Sequence, residues 1–277
     1  AGLCHGVQGT TKELATLLDV PYEEVSFVAA GINHLAWILE FRRGKEDLYP
    51  RLRALLSQPE KTAGEEVRFE IMKYFGYFCT ESNRHDSEYM PYFRRTPELM
   101  AHYKLKPREV PDTPRAREWL QDSGMGADES AWFNQLRRSH EYTSYIIEAL
   151  VTNQPYAFNG NVINTGLITN LPHGCCVEVP CLVDARGIHP THIGALPPQC
   201  AALDRSNVAV HELAVQAVRT RDREAAFLAC ALDPNAAAIL PLWKLRRMFD
   251  ELWKAEEHLL KWFDPRHTGP LPELCAP

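Results

Sequence analysis

The sequence predicts an α+β fold, helix-rich with a small antiparallel or mixed sheet. Apolar runs of strand length are few, they do not alternate with helical stretches, and everything beyond Ser206 repeats at helical spacing. Taken in order, Thr10 or Thr11 can cap a helix that runs through Glu13 to Leu18, with Leu14, Leu17 and Leu18 on one face and Asp19-Val20-Pro21 as its stop. Val25 to Ala30 and Leu35 to Phe41 read as strands, joined through Gly31-Ile32-Asn33-His34. Residues 46–57 and 63–78 read as helices separated by Gln58-Pro59. Residues 79–93 keep neither period, and the four prolines of 97–114 indicate an extended excursion. Residues 115–122 and 129–151 look helical, the second halted by Asn153-Gln154-Pro155. Phe158-Asn159-Gly160-Asn161 is hairpin-like, and Val177 to Val183 alternates imperfectly as a strand. In the tail, Val210, Leu213, Ala214, Ala217 and Val218 share a face, Asp233-Pro234 offers a cap and a first-turn proline, and Leu242 to Phe263 forms a seam for helix or subunit packing.

The chain has 277 residues, 45% apolar and 24% charged, enough for one large domain or two small ones. A formal charge of -6 with no basic stripe argues against a nucleic-acid partner. No run of about 18 apolar residues suggests a membrane span, and no signal peptide is visible. The eight cysteines form no Cys-x-x-Cys pair, which points to free thiols and a cytoplasmic setting. His173, Cys175, Cys176 and Cys181 cluster locally, but adjacent cysteines on an extended chain face opposite ways.

Chemistry concentrates at the beginning. Cys4 sits in Leu3-Cys4-His5-Gly6-Val7-Gln8-Gly9-Thr10, ahead of a helix whose dipole favours a thiolate, and His34 lies in the turn between two strands. A thiolate and an imidazole are too few to close a structural tetrahedral site, so a metal held here keeps positions open for water or substrate. The alternative is a buried thiol and a capping histidine. The stretch from Cys79 to Phe93 is crowded with Glu81, Arg84, His85, Asp86, Glu88, Tyr89 and Tyr92, which fits either a polar surface loop or the rim of a site.

The Leu3–Thr10 run, Ala29-Ala30-Gly31-Ile32-Asn33-His34, Thr80 to Phe93, and Asn159-Gly160 through Asn170-Leu171-Pro172 to Val177-Glu178-Val179-Pro180 together resemble glycoside hydrolase family 4. These are NAD- and manganese-dependent glycosidases, and the motifs look most like the α-galactosidase (melibiase) branch. The resemblance implies a fold like the C-terminal domain of lactate and malate dehydrogenases, with dimers or tetramers as the assembled form. Members carry an N-terminal Rossmann domain ahead of the Cys motif. Here the first motif begins at residue 3 and no Gly-x-Gly-x-x-Gly is present, so residues 1–277 are expected to be the metal- and substrate-binding domain, with the NAD-binding residues and their domain absent.

The implied chemistry is a redox-assisted elimination rather than attack between two carboxylates. The hydroxyl at sugar carbon 3 is oxidised, the carbon-2 proton becomes acidic, a base removes it, the aglycone leaves, and water and hydride return. By this resemblance Cys4 and His34 hold Mn2+ or another divalent metal, Asp86 or Tyr89 is the carbon-2 base, and His5 assists the leaving group or touches the sugar. Asn33 hydrogen-bonds a substrate hydroxyl, while Arg84 or His85 orients the sugar or a carboxylate. Asn170 and Glu178 carry family-like surroundings. Gly6 stands where a melibiase serine is expected, which leaves an α-glucoside or uronide open as substrate, and a non-catalytic sugar-binding or oligomerisation module is the reading of another class.

Overall fold

A computed structural model describes residues 1–107 and 141–263. The expected helix at 115–122, the beginning of 129–151, the end of 97–114 and Cys275 lie outside the described residues.

The molecule is built on a seven-stranded sheet whose pairings are all antiparallel, in the order β3 (Glu46–Asp47), β2 (Leu35–Arg43), β1 (Val25–Ile32), β6 (Cys176–Asp184), β5 (Tyr156–Ile163), with β4 (Phe78–Cys79) on β2 and β7 (Gly187–Pro190) on β6. Strands β1 (Val25–Ile32) and β2 (Leu35–Arg43) form the hairpin expected between residues 25 and 41. Their register runs from Val25↔Arg43 to Ile32↔Leu35, so Asn33-His34 is a two-residue turn. Side chains alternate faces along a strand. Ala29 and Ile38 therefore enter one core with α1 (Gly6–Leu17), α2 (Tyr49–Ala54) and α3 (Glu66–Phe75), whereas their neighbours Ala30 and Trp37 enter the other. That second core is closed by the helix Pro198–Thr220 through Cys200, Ala201, Leu203 and Val208. Trp37 is fully buried, and its indole N–H donates to Asp204 Oδ1 at 3.0 Å, tying the hairpin to that helix.

Several local expectations change. α1 begins at Gly6, with Thr10 and Thr11 buried inside it rather than capping it; Thr11 Oγ1 donates back to the Val7 carbonyl at 2.8 Å. In 46–57, Glu46–Asp47 is a short strand (β3) on the Arg42-Arg43 end of β2, and Pro50 sets the first turn of α2. In 63–78, Gly76 at φ 85 ends α3, and Phe78–Cys79 (β4) leaves the helix to pair with Ile38 and Trp37. The stretch without a period contains α4 (Asn83–Tyr89), capped by Ser82 Oγ accepting from the His85 N–H at 3.4 Å. Pro97 opens the short helix α5 (Pro97–His102) instead of an extended excursion.

The helix ending at Asn153 is α6 (Thr143–Thr152). Phe158 to Asn161 is no hairpin but the middle of β5 (Tyr156–Ile163), paired along its length with β6 (Cys176–Asp184), which runs on to β7 (Gly187–Pro190). Gly160 is needed there because a Cβ would lie 2.8 Å from Phe158 Cε2. The first tail helix starts at Pro198, ahead of Ser206. Asp233 caps the helix Pro234–Ile239 as expected, accepting from the Ala236 N–H at 2.7 Å. Of the C-terminal seam, Leu245 and Phe249 are buried, whereas Leu242, Leu252 and Leu259 face outward.

Candidate functional site

The turn end of the β1–β2 hairpin, the start of α1 and the β4–α4 junction converge on one cavity of about 710 Å³. Cys4 is fixed by its backbone. Gly2 bridges to Asn161 on β5, and the Tyr142 hydroxyl accepts from the Cys4 N–H at 3.0 Å while donating to the Cys4 carbonyl. Sequence reading passed over Tyr142, because nothing local marks a tyrosine as the clamp of a residue so distant in the chain. His34 is placed by the turn, at φ 65 in the left-handed region that histidine enters more readily than most residues.

Glu81 joins them. The Cys4 Sγ–H donates to Glu81 Oε1 at 3.2 Å, and His34 Nε2 lies 3.8 Å from the same oxygen. Ligand atoms of Cys4, His34 and Glu81 all fall within 4.8 Å of one another, a thiol, imidazole and carboxylate set compatible with one divalent cation. Burial pushes the Cys4 thiol up to about 11, against a lowering contact from the Gly6 backbone, and the Glu81 charge adds to the rise. A cation must displace that proton to bind sulfur.

Arg68 anchors the approach to Glu81. Its guanidinium is buried, paired with Glu13 and Glu65, and donates from Nη1 to the Glu81 carbonyl at 2.6 Å. From α4, His85 stacks on His34 with ring centroids 4.8 Å apart, and its Nδ1 is 3.2 Å from Glu81 Oε2. The half-buried Tyr89 ring meets His34 edge-on at 6.1 Å. Burial, then the negative charges of Glu81 and Glu88, raises the Tyr89 phenol.

Below this cluster, Glu178 pairs in register with Gly31 and Asn161, is 1% exposed, and leaves Oε1 without a partner among the described residues. Burial first, and the charge of Glu81 second, raise its carboxyl to about 8. The folded chain therefore keeps this proton up to about pH 8, whereas an unfolded glutamate loses it near pH ~4. The stabilising contribution is full below that lower value and is lost as pH rises through the interval. Glu178→Gln is expected to unfold, in EDTA, at the parent's temperature near pH ~4 and at a higher temperature than the parent near pH ~8. Equal melting shifts at both pH values would show that Glu178 is not held protonated.

Residues 29–236 match the family model described as "Family 4 glycosyl hydrolase C-terminal domain". The chain belongs to glycosyl hydrolase family 4. It is 41% identical over 259 residues to the α-galactosidase of Bacillus subtilis (strain 168), covering 92% of this chain and 60% of that protein. The chain thus spans about three-fifths of the length of that relative. Its fold is similar to the crystal structure of the "putative glucosidase lplD" of Bacillus subtilis, with TM-score 0.76 and 24% identity over 91% of this chain and 62% of the other. It is also similar to a 6-phospho-α-glucosidase from gut microorganisms in complex with NAD and Mn2+, with TM-score 0.67 and 20% identity over 92% of this chain and 60% of that one. Both likenesses are of fold.

The other residues expected at a family 4 site are not all brought here. Asp86 is fully buried within α4, and neither carboxyl oxygen has a hydrogen-bond partner among the described residues. Burial holds it well above the usual carboxylate range, offset only in part by the Cys79 thiol and the Arg68 charge. Asp86 therefore sits inside the fold, where burial favours its protonated form, and it does not line the cavity. Arg84 turns away, pairs with Glu88 at 3.4 Å and lines a separate cavity with Tyr103 and Lys104. His5 stands on the rim of the cavity with Nε2 3.2 Å from Glu141. Asn33 is exposed at the hairpin tip. Asn170 lies elsewhere, exchanging hydrogen bonds with the Leu196 backbone at 2.8 and 3.0 Å.

Proposed function

We propose that this chain is the metal- and substrate-binding half of an NAD- and divalent-metal-dependent α-galactosidase, the NAD-binding half being a Rossmann domain. The observation that carries the reading is the convergence of Cys4, His34 and Glu81 from three separate segments. The 41%-identical α-galactosidase supports the sugar, and the relative solved with NAD and Mn2+ supports the cofactors.

Cys4 and His34 would hold the metal, which when bound supplies a Lewis acid to oxygens on adjacent sugar carbons. NAD would supply the oxidation at carbon 3. The chain's own groups do the rest. Tyr89, edge-on to His34, would be the carbon-2 base once a cation held by Cys4 and His34 offsets the burial and negative charge that raise its phenol, a role that burial denies to Asp86. His85 engages Glu81 through Nδ1 and would offer Nε2 to a sugar hydroxyl, and the exposed Asn33 would offer its amide to another. His5, steadied by Glu141, protonates the departing aglycone.

A neutral sugar suits this site better than a uronide. Among the described residues the Glu81 carboxylate faces the cation cluster, and the nearby cation Arg68 is already engaged by Glu13 and Glu65. No helix among the described residues is long and apolar enough to cross a membrane. The free cysteines fit a cytoplasmic setting. The outward Leu242, Trp243 and Leu252 would serve a homodimer or homotetramer.

The reading is tested by joining the chain to the part of the Bacillus subtilis relative that it does not cover and assaying 4-nitrophenyl α-galactoside with Mn2+ and NAD. Turnover that requires both additions supports it, and failure to cleave any α-glycoside while still binding sugar would favour a binding module. In that protein Tyr89→Phe should lower kcat by roughly 10²-fold or more, the scale of general acid–base catalysis, with Mn2+ affinity unchanged. Unaltered kcat would remove Tyr89 from the chemistry.

A further inference from the structure

Glu81 reaches Cys4 and His34 only because residue 6 has no side chain. A Cβ on Gly6 would overlap Glu81 Oε1 and come within 2.7 Å of its Cδ. The carboxylate is not there by chance rotation. Glu81 has φ 82, a left-handed conformation that a non-glycine residue holds at a cost of order 1 kcal/mol or more and that persists only where its surroundings over-determine it. Those surroundings are present: the Glu81 N–H donates to Thr10 Oγ1 at 3.0 Å, and its carbonyl accepts from Arg68 at 2.6 Å. The strained backbone sends one carboxylate oxygen between sulfur and imidazole and the other to His85, at 3.2 Å.

A thiolate and an imidazole alone suit soft or borderline cations, while an oxygen-seeking ion such as Mn2+ prefers carboxylate. We propose that Glu81 is the third protein ligand of the metal and that Gly6 is the space reserved for it, the two residues together setting the preference for a hard divalent cation. This rests on the metal site proposed above and adds to it a donor and the residue that makes room for it. The same arrangement gives a reason for glycine, rather than serine, at position 6: any Cβ there pushes the carboxylate off the site.

The test is cation binding by the 277-residue chain itself, with Mn2+ followed by electron paramagnetic resonance and Zn2+ by competition with a chromophoric chelator. Glu81→Gln and Gly6→Ala are each expected to weaken Mn2+ by ~10- to 100-fold or more, on the scale of disturbing a metal site, and Zn2+ by less. The double variant should be no weaker than either single one, because both remove the same contact. With Co2+ as probe, the thiolate charge-transfer absorption should survive in both single variants, showing a folded site with Cys4 still bound. Alanine also favours the helix that Gly6 opens, so Gly6→Ala is expected to fold. Parent-like Mn2+ affinity in Glu81→Gln and Gly6→Ala, with loss in Cys4→Ser, would overturn the inference and leave the Cys4–His34 site standing. Parent-like affinity in Cys4→Ser as well would overturn the metal site beneath it. Additive losses in the double variant, or disappearance of the thiolate absorption in Gly6→Ala alone, would show that Gly6 serves Cys4 rather than Glu81.

Discussion

Cys4→Ser and His34→Ala are each expected to lower Mn2+ affinity by more than ~100-fold, beyond the usual cost of losing a residue that only supports a ligand. In the protein joined to an NAD-binding domain, either change should also abolish α-galactoside cleavage. The reason is geometric. Cys4 is held at its backbone by the Tyr142 hydroxyl and His34 by a two-residue turn, so neither donor can be replaced by a neighbour sliding in. Serine keeps the shape but not the ease of ionisation or the softness of sulfur. Cys176→Ser is the matched control, since Cys176 is exposed and outside the cation cluster, and it should bind Mn2+ like the parent. The comparison is made by titrating Mn2+ and reading the free ion by electron paramagnetic resonance. Equal titrations for the parent and Cys4→Ser would remove Cys4 from the metal site.

Arg68→Met should be the most destabilising single change around the site. Arg68 is 2% exposed, lies between Glu13 and Glu65, spans to the Glu81 carbonyl, and covers the Phe78 ring at 5.4 Å. Removing one partner of a buried ion pair costs about 3–5 kcal/mol. Glu13 is half exposed and can turn to water, so the loss should fall near the lower end, ~3 kcal/mol. Urea unfolding reads it as a lower midpoint at unchanged slope. Mn2+ binding by the folded variant should weaken too, because the Glu81 backbone loses its anchor. A shift under ~1 kcal/mol, the range of exposed pairs, would show that Arg68 behaves as a surface charge.

The hairpin and the residues it presents were legible because short runs rich in apolar and aromatic residues lie on either side of Gly31-Ile32-Asn33-His34. Cys4 ahead of a helix was legible for the same local reason. The misplaced boundaries have local causes of another kind. Pro50 and Pro97 open helices where proline was read as a break or passed over, and α4 hides because its polar residues carry no apolar stripe. Gly160 looked like a turn, but it lies mid-strand, paired with Val179, where a Cβ would meet the Phe158 ring.

The site was harder to see than the fold. Glu81 carries no motif of its own, and its importance comes from a left-handed backbone, from Arg68 and from the missing side chain at Gly6, none of which is local. Asp86 and Tyr89 stood equal on spacing, and the helix separates them by turning Asp86 into the core and Tyr89 toward His34. Arg84, on the same short helix, faces another cavity.

The most direct measurement is 4-nitrophenyl α-galactoside turnover in D2O by the chain joined to an NAD-binding domain, with Mn2+ and NAD present and the released galactose examined by proton NMR. The account predicts galactose carrying deuterium at carbon 2, because a base on this chain removes that proton and solvent returns it. Turnover that yields galactose with no deuterium at carbon 2 would contradict it and indicate direct hydrolysis between two carboxylates.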